Sequence, residues 1–414
     1  MTPSELTHAE LATLAREYFL AGHLIDRAGM PHAIGRFGRD GMTQIAIEEW
    51  MGASPIYTRR MQRLLGFERD DVAAIFQGMQ LDIGAPPEFM DFRYEVSSDI
   101  AGEFRLAHCG ALMDVEPMGE DYVVSMCHHI EDPTFDATAV ATNARAQVRP
   151  VHRPPRSPVD RHPHCHWTVR IEPESEPVVL PNEVTDPMHA TLAATTDLAA
   201  GASGTAAEDA GWGRYETLDP DLRMEDFSAS TLTKILDEAA LQGHLLAQSF
   251  GHAVARRSDA TAARVLLVHQ FIGVAGVVAG RLADAYELPP DLGGIASVLR
   301  LHPAFEPAPY VRIEVDERSD SVHLCLLPCD AAVEPAPGGW IALLADGMAD
   351  EAVTAIARGV CDRASASAVP PGVRALAAWE IRLGDQPHPE HPDVTLTKFS
   401  TGATFQFRRT GQRQ

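Results

Sequence analysis

Apolar positions in the first part of the chain recur at helical spacing. Leu11, Leu14, Tyr18 and Ala21/Gly22 share one face, as an amphipathic helix requires. Ser4-Glu5-Leu6-Thr7 and Thr7-His8-Ala9-Glu10 both resemble helix starts, the second with the Thr-x-x-Glu capping pattern. After about ninety residues the pattern changes. β-formers at 92–96 and 104–106 predict strands, and 161–171 (RHPHCHWTVRI) ends as one. The order then returns. The most apolar stretch, 265–280 (VLLVHQFIGVAGVVAG), is short for a membrane span and contains His269 and Gln270, so it reads as a core helix. Its Gly273, Gly276 and Gly280 would admit another helix closely. Strands are predicted at 310–315, 322–327 and 403–407, with a helix over 348–361. The whole predicts an α+β fold, with antiparallel sheets carrying helices on one side.

The recurrence is a repeat. Gly22-His23-Leu24 has an echo in Gly243-His244-Leu245, displaced by 221. The same displacement carries Trp50-Met51-Gly52 to Phe271-Ile272-Gly273 and Arg60 to Arg281. Arg93-Tyr94-Glu95-Val96 matches Arg312-Ile313-Glu314-Val315 at 219, and Val115-Glu116-Pro117 matches Val333-Glu334-Pro335 at 218. Ordered matches with a slow drift are the mark of a tandem duplication. The expected domains are a first copy over 1–175, a linker over 176–225 and a second, structural copy over 226–414. The segment 190–213, rich in Ala, Gly, Thr and Asp, reads as flexible. The copies are expected to pack as a pseudo-dimer.

Composition narrows the function. The 414 residues carry a formal charge of −24 with only two lysines, Lys234 and Lys398. Such acidity disfavours nucleic acid and anionic membranes as partners. A small-molecule substrate is the expected partner, with a homo-oligomer open. The N-terminus lacks the basic start and apolar core of a signal peptide, so a cytoplasmic location is expected. Six cysteines in a long chain without a secretion signal read as thiols or metal ligands. No GxGxxG after a strand, Walker A loop, HExxH or GxSxG occurs.

Three segments concentrate metal-type ligands: His108-Cys109, Cys127-His128-His129 and His162-Pro163-His164-Cys165-His166. Thiolate and imidazole hold zinc, iron or copper. At the 218 displacement, Ala345-Asp346-Gly347 replaces Cys127-His128-His129, and His164-Cys165-His166-Trp167 aligns with Gly402-Ala403-Thr404-Phe405 at 238. Cys329 lies near the place of Cys109, about two residues out of register. The ligands expected are therefore Cys109, Cys127 and Cys165, with His129 as the fourth, around zinc first and iron second. Strand alternation puts His162, His164 and His166 on one face and Cys165 and Trp167 on the other. Glu131 or His166 would move protons, and Arg153 or Arg156 would hold a substrate carboxylate. Glu48, Glu49 and Trp50 read as an ordinary amphipathic face.

The order of helical preamble, Cys109, Cys127 before the acidic 131–132, and Cys165-His166-Trp167 resembles the L-2-amino-thiazoline-4-carboxylic acid hydrolase-like family and the related 4-vinyl-reductase-type domains. The resemblance covers 1–175 and implies hydrolytic opening of a cyclic amidine-like C–N bond. The expected function is thus a metal-dependent hydrolase of a small polar metabolite. The alternatives are a non-catalytic small-molecule or metal-binding module, or a redox or iron enzyme on the same cluster. Elemental analysis of untagged protein tests the metal at these cysteines: about one zinc, iron or copper ion per chain is expected, lost in Cys127→Ala.

Overall fold

A computed structural model describes residues 1–198 and 210–407. The first helix, α1 (His8–Leu65), starts at the capping box expected of it. Thr7 Oγ1 accepts the Glu10 N–H at 3.4 Å, and the Glu10 carboxylate accepts the Thr7 N–H at 2.8 Å. The helix is broken at Gly38, where φ is +71° and ψ is 179°. A side chain at that φ would be strained, so glycine makes the break. Its two halves face each other: Asp26, Arg27 and Met30 line the same cavity as Met42, Ala46 and Trp50.

The first copy continues with α2 (Val72–Gln80), β1 (Met90–Ser98), β2 (Ala101–Cys109) and α3 (Gly110–Val115). A near-continuous helical run follows: α4 (Glu120–Val124), a π-helical segment Ser125–Ile130, and α5 (Glu131–Val140). β3 (Ala146–His152) and β4 (Cys165–Ile171) complete an antiparallel sheet of order β1-β2-β4-β3. Two short helices, α6 (Asn182–His189) and α7 (Leu192–Thr195), lead away from it.

The second copy repeats the plan. α8 (Ala229–Arg257) and α9 (Ala260–Ala285) stand where the halves of α1 stand, and α10 (Leu292–Leu301) replaces α2. Then come β5 (Ile313–Glu317), β6 (Val322–Leu326), α11 (Trp340–Ala345), α12 (Asp350–Val360), β7 (Ala364–Val369) and β8 (Ala377–Leu383). Its sheet order, β5-β6-β8-β7, is that of the first. A last helix, α13 (Pro392–Thr397), crosses back to the first copy. The α+β architecture and the duplication read from the sequence are thus present. By length and composition α9 could cross a membrane, but most of its apolar window is buried inside the protein.

Three expectations need correction. Segment 403–407 is not a strand: residues 401–404 form a 3-10 turn and 405–407 are irregular. The partner of β4 is β8, because Trp167 pairs with Phe104 as Trp379 pairs with Leu324. Cys165 therefore corresponds to Ala377, and Cys329 falls at the place of Cys109, five residues beyond the matching strand position in each copy. Two buried tryptophans carried that match, but the insertion before them hid it. Finally, the described part of 176–225 is docked. Arg60 Nη1 donates to the Thr196 carbonyl at 2.9 Å, and the Glu334 carboxylate accepts the N–H groups of Leu192 and Ala193. Residues 199–209 of the expected flexible segment lie outside the described residues.

Two buried ion pairs join the copies. Arg60 makes a bidentate pair with Glu238 at 2.8 and 3.0 Å. Arg281 makes the same pair with Glu17 at 2.7 and 2.9 Å. The 221 displacement maps Arg60 onto Arg281 and Glu17 onto Glu238, so the interface is isologous, like that of a twofold dimer. Burial pushes both carboxyls up even against their arginines. Removing one partner leaves a buried uncompensated charge. Arg60→Ala and Arg281→Ala should each cost about 3–5 kcal/mol, and the pair Arg60→Met with Glu238→Leu much less. Urea denaturation midpoints at constant slope would show it.

Candidate functional site

The first copy holds an open-mouthed cavity of about 380 Å³. Its walls come from both halves of α1, the loop after α2, β1, the α3–α5 run and, from the second copy, Leu396 and Phe399. Six methionines line it (Met30, Met42, Met79, Met90, Met118 and Met126), with Trp50, Phe92, Tyr122 and Phe135. Such a lining is apolar and adaptable. The π-helical turn at 125–130 is part of the wall: it presents Ser125, Met126 and Ile130 to the cavity, next to Glu131. Turns of this kind recur at functional sites, because the extra residue re-aims the side chains that follow.

The polar groups converge on one region. His23, Asp26, Arg27, Asp82 and Glu131 all line the cavity. Arg27 Nε lies 3.4 Å from Asp26 and 3.6 Å from Asp114, and its Nη2 meets only the Met126 sulfur, at 3.6 Å. Asp114 is held by His23, Arg27, Ser400 Oγ at 2.7 Å and the Thr401 N–H at 2.7 Å, and its carboxyl is held well below the usual range. This carboxylate thereby fastens the end of the second copy to the cavity. Asp82 accepts from Tyr57 at 2.8 Å and from the Gly84 N–H at 2.7 Å, and burial raises its carboxyl to about 6. Burial raises Glu131 to about 7, against the opposing pull of Arg27. Glu49 is fully buried, neither of its oxygens has a hydrogen-bond partner, and burial keeps it protonated. Two acids with raised affinity for protons in the wall of one cavity are a mark of a functional site.

The predicted site residues divide. Glu131 is in the cavity wall. Cys109, Cys127 and Cys165 share one core cluster beside it, close enough that each thiol feels another's charge and that of Glu131. Burial raises all three, Cys109 to about 12. His129 is exposed. His166 lies on the outer face of β4, bonded to Glu103, while Cys165 and Trp167 point inward as alternation predicts. Arg153 pairs with Asp132 across the face of Trp167, and Arg156 makes a bidentate pair with Glu116 at 3.0 and 2.7 Å. Both arginines are thus occupied by carboxylates of the chain itself. Of Glu48, Glu49 and Trp50, only Glu48 behaves as a surface residue, paired with Arg257 at 2.9 Å.

The second copy provides a control within the chain. The displacements place Ala247, Gln248, Gln270 and Ala349 where the first copy has Asp26, Arg27, Glu49 and Glu131. Trp340 and Phe271, in the places of Tyr122 and Trp50, stack at 4.9 Å, and Trp340 donates to Gln270 at 3.2 Å. Trp340 also borders a space of about 20 Å³ between the two copies. The frame is shared, but the cavity and its charged groups belong to the first copy. The sequence signal for Asp26 and Arg27 is their replacement by Ala247 and Gln248 in the second copy; Asp82 carries no such signal.

Among the described residues, one trio of His, Cys, Asp or Glu has its ligand atoms all within 4.8 Å of one another: His32, His269 and Asp393, away from the cysteines. No family model, no curated protein and no solved structure matches the chain.

Glu131 binds its proton more tightly folded than unfolded. As pH rises from about 4.5 to about 7 the unfolded chain releases that proton first, so stability falls across this window and levels off above it. Asp82 adds the same sign between about 4 and about 6. Glu131→Gln should therefore raise the urea midpoint at pH 8 more than at pH 5. An equal change at both pH values would mean that Glu131 titrates like a surface carboxyl.

Proposed function

We infer that the first copy is an enzyme that binds a small nitrogenous base with an apolar body and moves a proton with Glu131. The observation that supports this most is a carboxyl that burial raises to about 7 in the wall of a Met- and aromatic-lined cavity. A general acid–base group works best with its pKa near the operating pH.

The charge balance argues for the class of substrate. Three carboxyls and one guanidinium line the cavity, and Arg27 already faces Asp26 and Asp114. A carboxylate ligand would meet net repulsion. An amine or amidine would donate hydrogen bonds to Glu131 or Asp82, lower their proton affinity and lay its apolar part on Trp50 and Phe135. An amidine is also what the family resemblance implies, and addition of water to such a C=N carbon needs a group that takes one proton and returns another. Glu131 would do both. The cysteines pack in the core beside Glu131, where burial raises their thiols.

Benzamidine and phenethylamine, set against benzoate and phenylacetate, test the charge preference by thermal shift. The two bases should raise the melting temperature and the two acids should not; preference for the acids would overturn the reading. With a turned-over amidine in hand, Glu131→Gln should lower kcat by about 10²–10⁴ while binding persists. Binding of the bases with no turnover of any amidine would leave the first copy a binding module.

A further inference from the structure

Apart from the cavity, one cluster of side chains brings the two copies together around a single carboxylate. His32 comes from α1, His269 from α9 and Asp393 from the first turn of α13. His32 Nε2 lies 3.2 Å from Asp393 Oδ1, and His269 Nδ1 lies 2.8 Å from Oδ2. The two imidazoles stack with centroids 4.6 Å apart and planes 15° apart. Close approach of α13 to α9 is what permits this. A Cβ on Gly273 would lie 2.3 Å from Thr397 Oγ1 and 3.1 Å from the Asp393 carbonyl.

We propose that His32, His269 and Asp393 form a binding site for a zinc-class divalent transition metal that clamps α13 across the two copies. Two imidazole nitrogens and one carboxylate are a borderline-soft donor set suited to zinc, and to cobalt or nickel as stand-ins. Bonds of about 2.0–2.1 Å at tetrahedral angles set ligand atoms about 3.3 Å apart, close to the spacing found here. The Asp393 side chain is 8% exposed and His32 19%, whereas His269 is 42% exposed, so the open side of the trio faces solvent. Water would complete the coordination there. His391 is not a fourth ligand: its Nδ1 accepts the Asp393 N–H at 3.2 Å and its Nε2 meets Glu351 at 2.7 Å.

The second copy's contribution to the cavity gives the site its consequence. α13 and the residues after it carry Leu396 and Phe399 into the cavity wall and Ser400 and Thr401 onto Asp114. None of the three ligands lines the cavity. The ion would hold that wall in place without touching a bound molecule, so the proposal stands whether or not the cavity is catalytic.

Untagged, chelator-stripped protein titrated with Co²⁺ at pH 7.5, and with Zn²⁺ in competition, tests it. About one ion per chain should bind, with visible d–d absorption in the cobalt form and a rise in melting temperature in the zinc form. Affinity should fall at least tenfold in His269→Ala, at a half-exposed position, and in Asp393→Asn, with circular dichroism checking that each variant is folded. Cys127→Ala should bind as the wild type does. Binding should also weaken as pH falls through the imidazole range, because protons compete for the same nitrogens. Failure of stripped wild-type protein to bind either ion, or unchanged affinity in His269→Ala and Asp393→Asn, would overturn the proposal. Loss in Cys127→Ala alone would place the ion at the cysteines instead.

Discussion

Two guanidinium–carboxylate pairs hold the molecule to one arrangement. A buried arginine is stable only beside its carboxylate, and each pair here joins one copy to the other. Because Arg60–Glu238 and Arg281–Glu17 are related by the repeat, satisfying one places the other. A shift of either copy along the interface would strand four charges at once. The remaining contacts between the copies inherit this register. Ser249 reaches the Glu48 carbonyl, Gln270 reaches the Ile25 carbonyl, and α13 comes to rest against α1 and α9.

Within that frame the copies have parted in one respect. The second fills its interior with Trp340 stacked on Phe271; Gln270 Oε1 accepts from Trp340 and Gln248 Nε2 donates to Tyr310. The first leaves the space open and lines it with Asp82 and Glu131, whose carboxyls burial raises, while the buried Glu49 nearby has no hydrogen bond. Such groups cost stability. A duplicated chain can divide these roles, with one half supplying rigidity and a wall for the other half's cavity.

The three cysteines predicted from composition do come together, in one core cluster beside Glu131. Strand alternation correctly turned Cys165 and Trp167 inward and His166 outward. Inward here means an apolar core, where burial raises the thiols. The His32, His269 and Asp393 trio takes one residue from each of three helices, far apart in sequence.

The sequence by itself determined the plan: an α+β unit written twice, helices before strands, a capped start at Thr7, and conservation of Arg60 in Arg281 between the copies. These are local periodicities and self-similarities, which need no knowledge of distant contacts. It also put Glu131 forward as a proton-transfer group, from its place after the Cys–His run. Tertiary structure alone decided that Gly38 folds α1 back on itself, that Asp26, Arg27 and Asp82 meet Glu131 across one cavity, and that Glu49 loses all contact with water. It alone decided which β-strand replaces β4 in the second copy, since hydrogen-bonded register, not sequence spacing, pairs Trp167 with Trp379. The reason is the same in each case. A carboxyl's affinity for its proton, or an imidazole's access to a neighbour's carboxylate, depends on what is packed within a few ångströms. That neighbourhood is assembled from elements hundreds of residues apart.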